Sequence, residues 1–352
     1  MKNLFLGSVV SGSALLVLSS IAGAADVEPA PVYKAAPQPV PYMATGYVEL
    51  YAGSSWTSDR ASLCAGPFCD FDSTTDDGSV LGGAGRGNFW FLPNVSGQFD
   101  VQAEGSSHSF STIAFGPVGP ALVSEHFSTQ SYLIAAHFNW RDPQTGLLGV
   151  FGGGGDVGGS GESEFNQRHY VVGAEGQYYW NRATFYLQGG YDTTLSNLDE
   201  ENDNIHAWFV RGTARYFIDP NLLVEATGFY ANGAIDFAQT AETIGLLPTM
   251  PWDFNTVLAD AKLEWKPASI PFSFFAKYQW SQTTYNAIVV PEIGGTVNNR
   301  VTDNRVLFGA RLLFGESSLL SNDRYGATLD VIDPLGTAVS PLAFTASAGG
   351  GL

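Results

Sequence analysis

From Tyr47 onward, apolar and polar residues alternate with period two, the spacing at which successive side chains face opposite sides of a sheet. Between Val95 and Gly105 the odd positions hold Val, Gly, Phe, Val, Ala and Gly, and the even ones Ser, Gln, Asp, Gln and Glu. The pattern recurs at about 46–56, 79–91, 95–106, 129–140, 147–157, 168–180, 183–194, 205–218, 222–234, 254–266, 272–285 and 302–314. It predicts twelve strands. The second and fifth are so rich in glycine (Gly82 to Gly87, Gly152 to Gly155) that their faces stay unassigned. Soluble sandwich strands run about five or six residues, whereas about nine to eleven cross a hydrocarbon layer at the usual tilt.

The connections alternate in length. Long ones are expected at 57–78, 107–128, 158–167, 195–204, 235–253 and 286–301, and short ones include Leu92-Pro93-Asn94, Asn181-Arg182 and Asp219-Pro220-Asn221. Long loops at one end and tight turns at the other mark an outer-membrane barrel. Trp90, Trp140, Trp180 and Trp265 each close a segment just before a short turn, and Tyr216 holds the matching place in the remaining hairpin. These five are expected to form an aromatic girdle at one membrane boundary. In lipid every backbone polar group needs a partner within the protein, so the sheet must close. The expected fold is therefore all-β, a transmembrane antiparallel up-and-down barrel of about twelve strands over residues 44–315, with both termini periplasmic.

Residues 1–24 read as a signal peptide: one Lys, an apolar run through Ala14-Leu15-Leu16-Val17-Leu18, and the small-residue ending Ala22-Gly23-Ala24. A proline-rich periplasmic linker is expected over 25–43. No later stretch reaches the roughly 18 apolar residues that read as a spanning helix. Residues 316–352 are expected as a periplasmic tail or, over Tyr325 to Ile332, as a segment that folds into the lumen or adds a strand. Asp+Glu number 34 against Lys+Arg 16, for a net charge of −18. That balance points away from nucleic acid, which needs a basic face.

The signal, the Pro-rich lead and the entry Thr45-Gly46-Tyr47-Val48-Glu49-Leu50-Tyr51-Ala52-Gly53 resemble the porin-like, opacity-type surface proteins of α-proteobacteria. The resemblance covers about the first 55 residues and implies a surface-exposed barrel; it contributes no catalytic residues to carry over. The relatives it points to are usually eight-stranded. Gly309 to Phe314 in turn resembles the terminal-strand signal read by the barrel assembly machinery, an implied partner, although some 38 residues follow Phe314 here.

By parity the lumen should receive Glu49, Asp100, Glu104, Glu175, Asp192, Glu225, Asp260 and Glu264, together with Arg86, His137, Arg211, Arg215, Lys262, Lys277, Arg305 and Arg311. Acids and bases are nearly balanced, so most should pair, since a buried unpaired charge is costly. The acids dominate segments one and three and the bases eight and ten to twelve, an arrangement that would set a transverse field across a pore. Excess acid falls in the expected loops, at Asp59, Asp70, Asp72, Asp76, Asp77, Glu162, Glu164, Asp199 to Asp203, Asp236 and Glu242. It suggests solubility and mutual repulsion first, and, as sharper readings, bridging by divalent cations to lipopolysaccharide or a cation-attracting vestibule. Asp199-Glu-Glu-Asn-Asp203 lacks the spacing of an EF-hand loop. Cys64 and Cys69 are expected to form a disulfide in an oxidising compartment.

Phosphate-loop, metallopeptidase and serine-hydrolase motifs are missing from the sequence. No cofactor, metal or catalysis is expected. His108 with Ser109, or His126 with Glu125, would serve the least favoured reading, a hydrolase at the barrel rim. The favoured expectation is a narrow passive channel for small hydrophilic solutes, with a filled structural or adhesion barrel as the alternative. The sequence implies no particular number of subunits.

Overall fold

The computed structural model describes residues 44–65, 68–116, 119–160, 165–194, 204–236, 252–290 and 295–337. The expected signal, linker and acidic run Asp199 to Asp203 lie outside the described residues, as do Glu162, Glu164 and Glu242. Twelve strands follow one another in chain order: β1 (Ala44–Ala65), β2 (Phe68–Leu92), β3 (Val95–Gly116), β4 (Gly119–Asp142), β5 (Gly146–Ser160) and β6 (Phe165–Trp180). They continue as β7 (Ala183–Thr194), β8 (Asn204–Asp219), β9 (Leu222–Asp236), β10 (Trp252–Trp265), β11 (Phe272–Val290) and β12 (Gly295–Phe314). Each pairs antiparallel with its neighbours, and β12 returns to β1, from Gly46 opposite Phe314 to Ala65 opposite Gly295. The fold is a closed antiparallel β-barrel of twelve strands.

Its polarity is inverted relative to a soluble protein. Outward positions carry Leu50, Phe99, Phe138, Val172, Leu187, Trp208 and Phe308, all strongly exposed, while Asp100, His137, Glu175, Arg211 and Glu264 are buried inside. Such an exterior suits hydrocarbon, and the closed ladder leaves no strand edge for lipid to face.

Several expected loops are barrel wall instead. β2 has 25 residues, about 80 Å of strand at roughly 3.3 Å per residue, far more than one crossing needs. Residues 57–65 and 68–78 are ladder, as are 107–116 and 119–128. The sequence signal fades there because the outer face turns polar: on β3, Phe99 and Val101 give way to exposed Ser107 and Ser109. The acids Asp59 and Asp76, read as loop residues, face inward and are buried. Cys64 is disulfide-bonded; Cys69, the chain's other cysteine, stands opposite it in the ladder.

Trp140, Trp180, Tyr216 and Trp265 are exposed at the short-turn end. Trp90 departs from the expected girdle and points into the lumen, 7% exposed. The glycines of β2 had hidden its parity, which runs inward through Ala84, Arg86, Asn88 and Trp90. A bulge between Trp90 and Leu92 then leaves Phe91 and Leu92 on the outer surface.

After β12 the chain turns inward at Gly315, whose φ of +86° lies in the left-handed region that favours glycine. A Cβ there would also meet the Ala44 carbonyl oxygen at 2.9 Å. A short helix, α1 (Leu319–Tyr325), follows. Ser318 caps it by accepting the Ser321 N–H. Contacts to three short turns hold the helix at that end: Leu320 N–H donates to Pro220 O, Arg324 to Asn181 O, and Lys266 Nζ to Ser317 O.

Candidate functional site in the barrel lumen

From Gly326 the chain climbs through the lumen instead of joining the sheet. The eight residues 326–333 belong to neither helix nor strand and would span about 26 Å if extended at roughly 3.3 Å each, close to the ~30 Å of a hydrocarbon core. The expectation of a lumenal segment over Tyr325 to Ile332 describes it, and the expectations of a loose tail or an added strand do not hold for residues 316–337.

The segment has two faces. Alternate residues Ala327, Leu329 and Val331, and beyond them Leu335 in the helical turn 334–337, are buried against successive apolar tiers of the wall. Leu329 packs with Leu147 and Tyr186, Val331 with Leu133, Phe151, Phe209 and Phe229, and Leu335 with Ile205, Phe254 and Val301. The opposite parity carries Thr328 and Asp330. Arg211 grips Asp330 through two parallel bonds of 2.7 and 2.9 Å, a bidentate geometry among the stronger ionic contacts. Arg215 donates to Thr328 Oγ1 at 2.7 Å.

A chain without sheet partners must still satisfy its backbone. Gln98 Nε2 donates to Leu329 O at 2.6 Å, and Leu329 N–H donates to Gln98 Oε1 at 3.1 Å. Gln102 donates to Val331 O, and Gln188 and Tyr186 to Asp330 O. Three inward glutamines thus supply bonds that a neighbouring strand would make. They lie at the polar parity of the sequence pattern, but carry no charge, and parity alone does not tell a backbone partner from a wetted residue.

Every residue expected to line the lumen faces inward, and the ion pairs join into networks. One runs from Glu49 to Arg311 (2.7 Å), Glu264 (3.1 Å), Lys262 (3.5 Å), Glu225 (3.0 Å), Arg215 (2.6 Å) and Asp323 of α1 (3.1 Å). Another joins Arg86, Asp100, His137 and Glu175 at 3.6, 3.3 and 2.7 Å. Higher up, Arg305 lies 2.5 Å from both Asp303 and Glu104, while Lys277 lies 3.9 Å from Asp260. Asp192 pairs with His169 at 3.0 Å. The expected transverse field is therefore largely closed: Arg305 of β12 reaches past β1 and β2 to Glu104 of β3, so the two walls neutralise each other. At the short-turn end, burial pushes the Glu316 carboxyl above the usual carboxylate range, against the Ser321 hydroxyl that donates to it.

Beside the segment a cavity of about 260 Å³ remains, bordered by Glu49, Glu104, Lys262, Lys277, Arg305 and Asp330 among others. At the roughly 30 Å³ each water occupies in the liquid, it has room for about nine. Its lining reaches from Thr57 and His108, toward the long-hairpin end, to Leu319 and Asn322 of α1.

The rim-hydrolase pairs do not assemble as expected. His108 is buried inside while Ser109, its neighbour on the strand, is exposed on the other face, and His126 is exposed outside. His108 Nε2 instead meets Ser106 Oγ at 2.9 Å, with Asp76 Oδ2 2.7 Å from Nδ1. That Nδ1 makes no aligned hydrogen bond to the carboxylate. Ser106 Oγ is also engaged by Thr129 at 2.6 Å.

No family model matches the chain, and no curated protein does. Among solved structures, an outer membrane channel from Pseudomonas putida F1 is 13% identical over 82% of this chain and 100% of that one, with a TM-score of 0.48. A FadL homologue of Pseudomonas aeruginosa is 10% identical over 76% and 90%, at 0.37. The OmpT outer-membrane protein of Vibrio cholerae is 13% identical over 76% and 98%, at 0.32. The fold of this chain is read from its own closed ladder of strands.

Proposed function

We propose that the protein is an outer-membrane barrel that acts as a narrow passive channel for small hydrophilic solutes. The observation that carries this reading is the cavity of about 260 Å³ beside the lumenal segment, bordered by charges of both signs along much of its depth. A path of that bore admits water, ions and small polar molecules one behind another. Paired charges favour hydration without holding a solute of either sign tightly, as conduction requires. Under this reading the short turns and α1 are periplasmic and the long hairpins extracellular. The chain is exported by a signal peptide cleaved near residue 24 and inserted by the barrel assembly machinery. Acidic hairpins bridge to lipopolysaccharide through divalent cations, and the interior performs no catalysis. The first-strand resemblance to opacity-type proteins is consistent with an enlarged relative of that group.

A second reading, a non-conducting structural or adhesion barrel, is favoured by one observation. The segment 326–337 fills the other side of the lumen with buried Leu329, Val331 and Leu335. Planar-bilayer recording of the purified protein separates the two. Discrete conductance steps are expected, and silence at high protein load would overturn the channel reading in favour of the filled barrel.

A further inference from the structure

We propose that His169 of β6, Asp192 of β7 and Asp333 of the lumenal segment form a site for a divalent transition ion of the zinc and cobalt class, joining the barrel wall to the segment. One donor atom from each of the three lies within 4.8 Å of the others. His169 and Asp192 are wholly buried and Asp333 nearly so. Bonds of about 2.0–2.2 Å to imidazole nitrogen and carboxylate oxygen would draw these donors somewhat closer together around an ion.

Charge argues for an ion. Asp330 is met by Arg211, Asp323 by Arg215, and Glu225 by Arg215 and Lys262. Among the described residues, the ion pairs of Asp192 and Asp333 are with His169 alone. An imidazolium brings one positive charge against two negative ones, in a place where an uncompensated charge is expensive. A divalent ion with a neutral imidazole balances the set.

A second, independent observation points the same way. His169 Nδ1 lies 3.0 Å from Asp192, but Nε2, fully buried and 3.6 Å from Asp333 Oδ1, has no hydrogen-bond partner, and neither does Asp333 Oδ2. A buried imidazole nitrogen and a buried carboxylate oxygen, both unsatisfied at such range, are the groups an ion would engage. Imidazole with carboxylates suits Zn²⁺, Co²⁺ or Mn²⁺ better than Ca²⁺, which takes six to eight oxygens. Asp333 hydrogen-bonds within its own segment, accepting from Gly336 N–H at 2.6 Å, which positions it without using Oδ2.

This inference does not rest on the channel reading, since a filled barrel would hold the same ion. It is tested with the purified full chain in detergent, titrated with Co²⁺ alone and followed by its visible absorption, with Zn²⁺ as competitor. One Co²⁺ per chain, displaced by Zn²⁺, is expected. Asp333→Asn, which alters the segment and not the barrel ladder, should weaken binding at least tenfold, because even partners of metal ligands cost roughly 10–100-fold when lost. His169→Gln should do the same in protein that retains heat-modifiable mobility on gels. Absence of a Co²⁺ spectrum in the wild type, or undiminished binding by Asp333→Asn, would overturn the site; in the latter case the ion belongs to surface carboxylates.

Discussion

Replacing Asp330 by asparagine tests what holds the segment in the lumen. The charged bidentate bond to buried Arg211 is lost, leaving one neutral amide oxygen as acceptor beside a long contact from Arg211 to the backbone carbonyl oxygen at this position. Removing one member of a buried pair costs about 3–5 kcal/mol, or roughly two to nearly four powers of ten in the docked-to-undocked ratio at about 1.4 kcal/mol per decade. Against this, Leu329, Val331 and Leu335 stay buried, each contributing about 1.5–3 kcal/mol. Their sum, on the order of 4.5–9 kcal/mol, matches or exceeds that loss over nearly the whole range, so the segment should remain docked most of the time. In bilayers Asp330→Asn should keep the wild-type conductance level and add brief, larger openings. A chain stopped before Gly326 should sit at the larger level permanently, provided it still shows heat-modifiable mobility. If the stopped chain conducts no more than the wild type, the segment does not occupy the conducting path and the reasoning fails.

Other outcomes follow from the same geometry. Arg305→Gln combined with Arg311→Gln removes two cations bordering the cavity and leaves Glu104 and Glu49 uncompensated, so the reversal potential in a salt gradient should shift toward cation preference; an unchanged potential would take both residues out of the lining. Brominated lipid should quench the fluorescence of Trp140, Trp180 and Trp265 and spare Trp90, which single-tryptophan variants can read one at a time. Trp90 quenched like the others would contradict its inward hydrogen bond to Tyr325 O. A fluorophosphonate probe should leave Ser106 unlabelled, because His108 Nδ1 makes no aligned hydrogen bond to Asp76. Stoichiometric labelling abolished by Ser106→Ala would refute passive behaviour.

Much of the barrel was legible because lipid and lumen impose opposite demands on alternate residues. Wherever both faces were distinct, as on β3 from Val95 to Ala103, parity placed the side chains. It failed where one demand lapsed. Above the apolar belt both faces of the wall are polar, so Asp59 and Asp76 looked like loop residues. On glycine-rich β2 the outward face carries too few side chains, so Trp90 was given to the wrong side. The charged lining was readable residue by residue, but which pairs form was not. Arg305 meets Glu104 across two intervening strands, and register and curvature decide that, not sequence spacing. Asp330 and Asp333 drew no attention because nothing local in a mildly apolar tail reveals that a guanidinium or an imidazole waits for them on the wall.

The amides of Gln98, Gln102 and Gln188 stand in for a thirteenth strand. Because the segment borrows them and shares no ladder with the barrel, withdrawing it would unzip no seam. Shell and stopper are thus separate parts of one chain, so removing the segment would widen the bore while the wall keeps every rung.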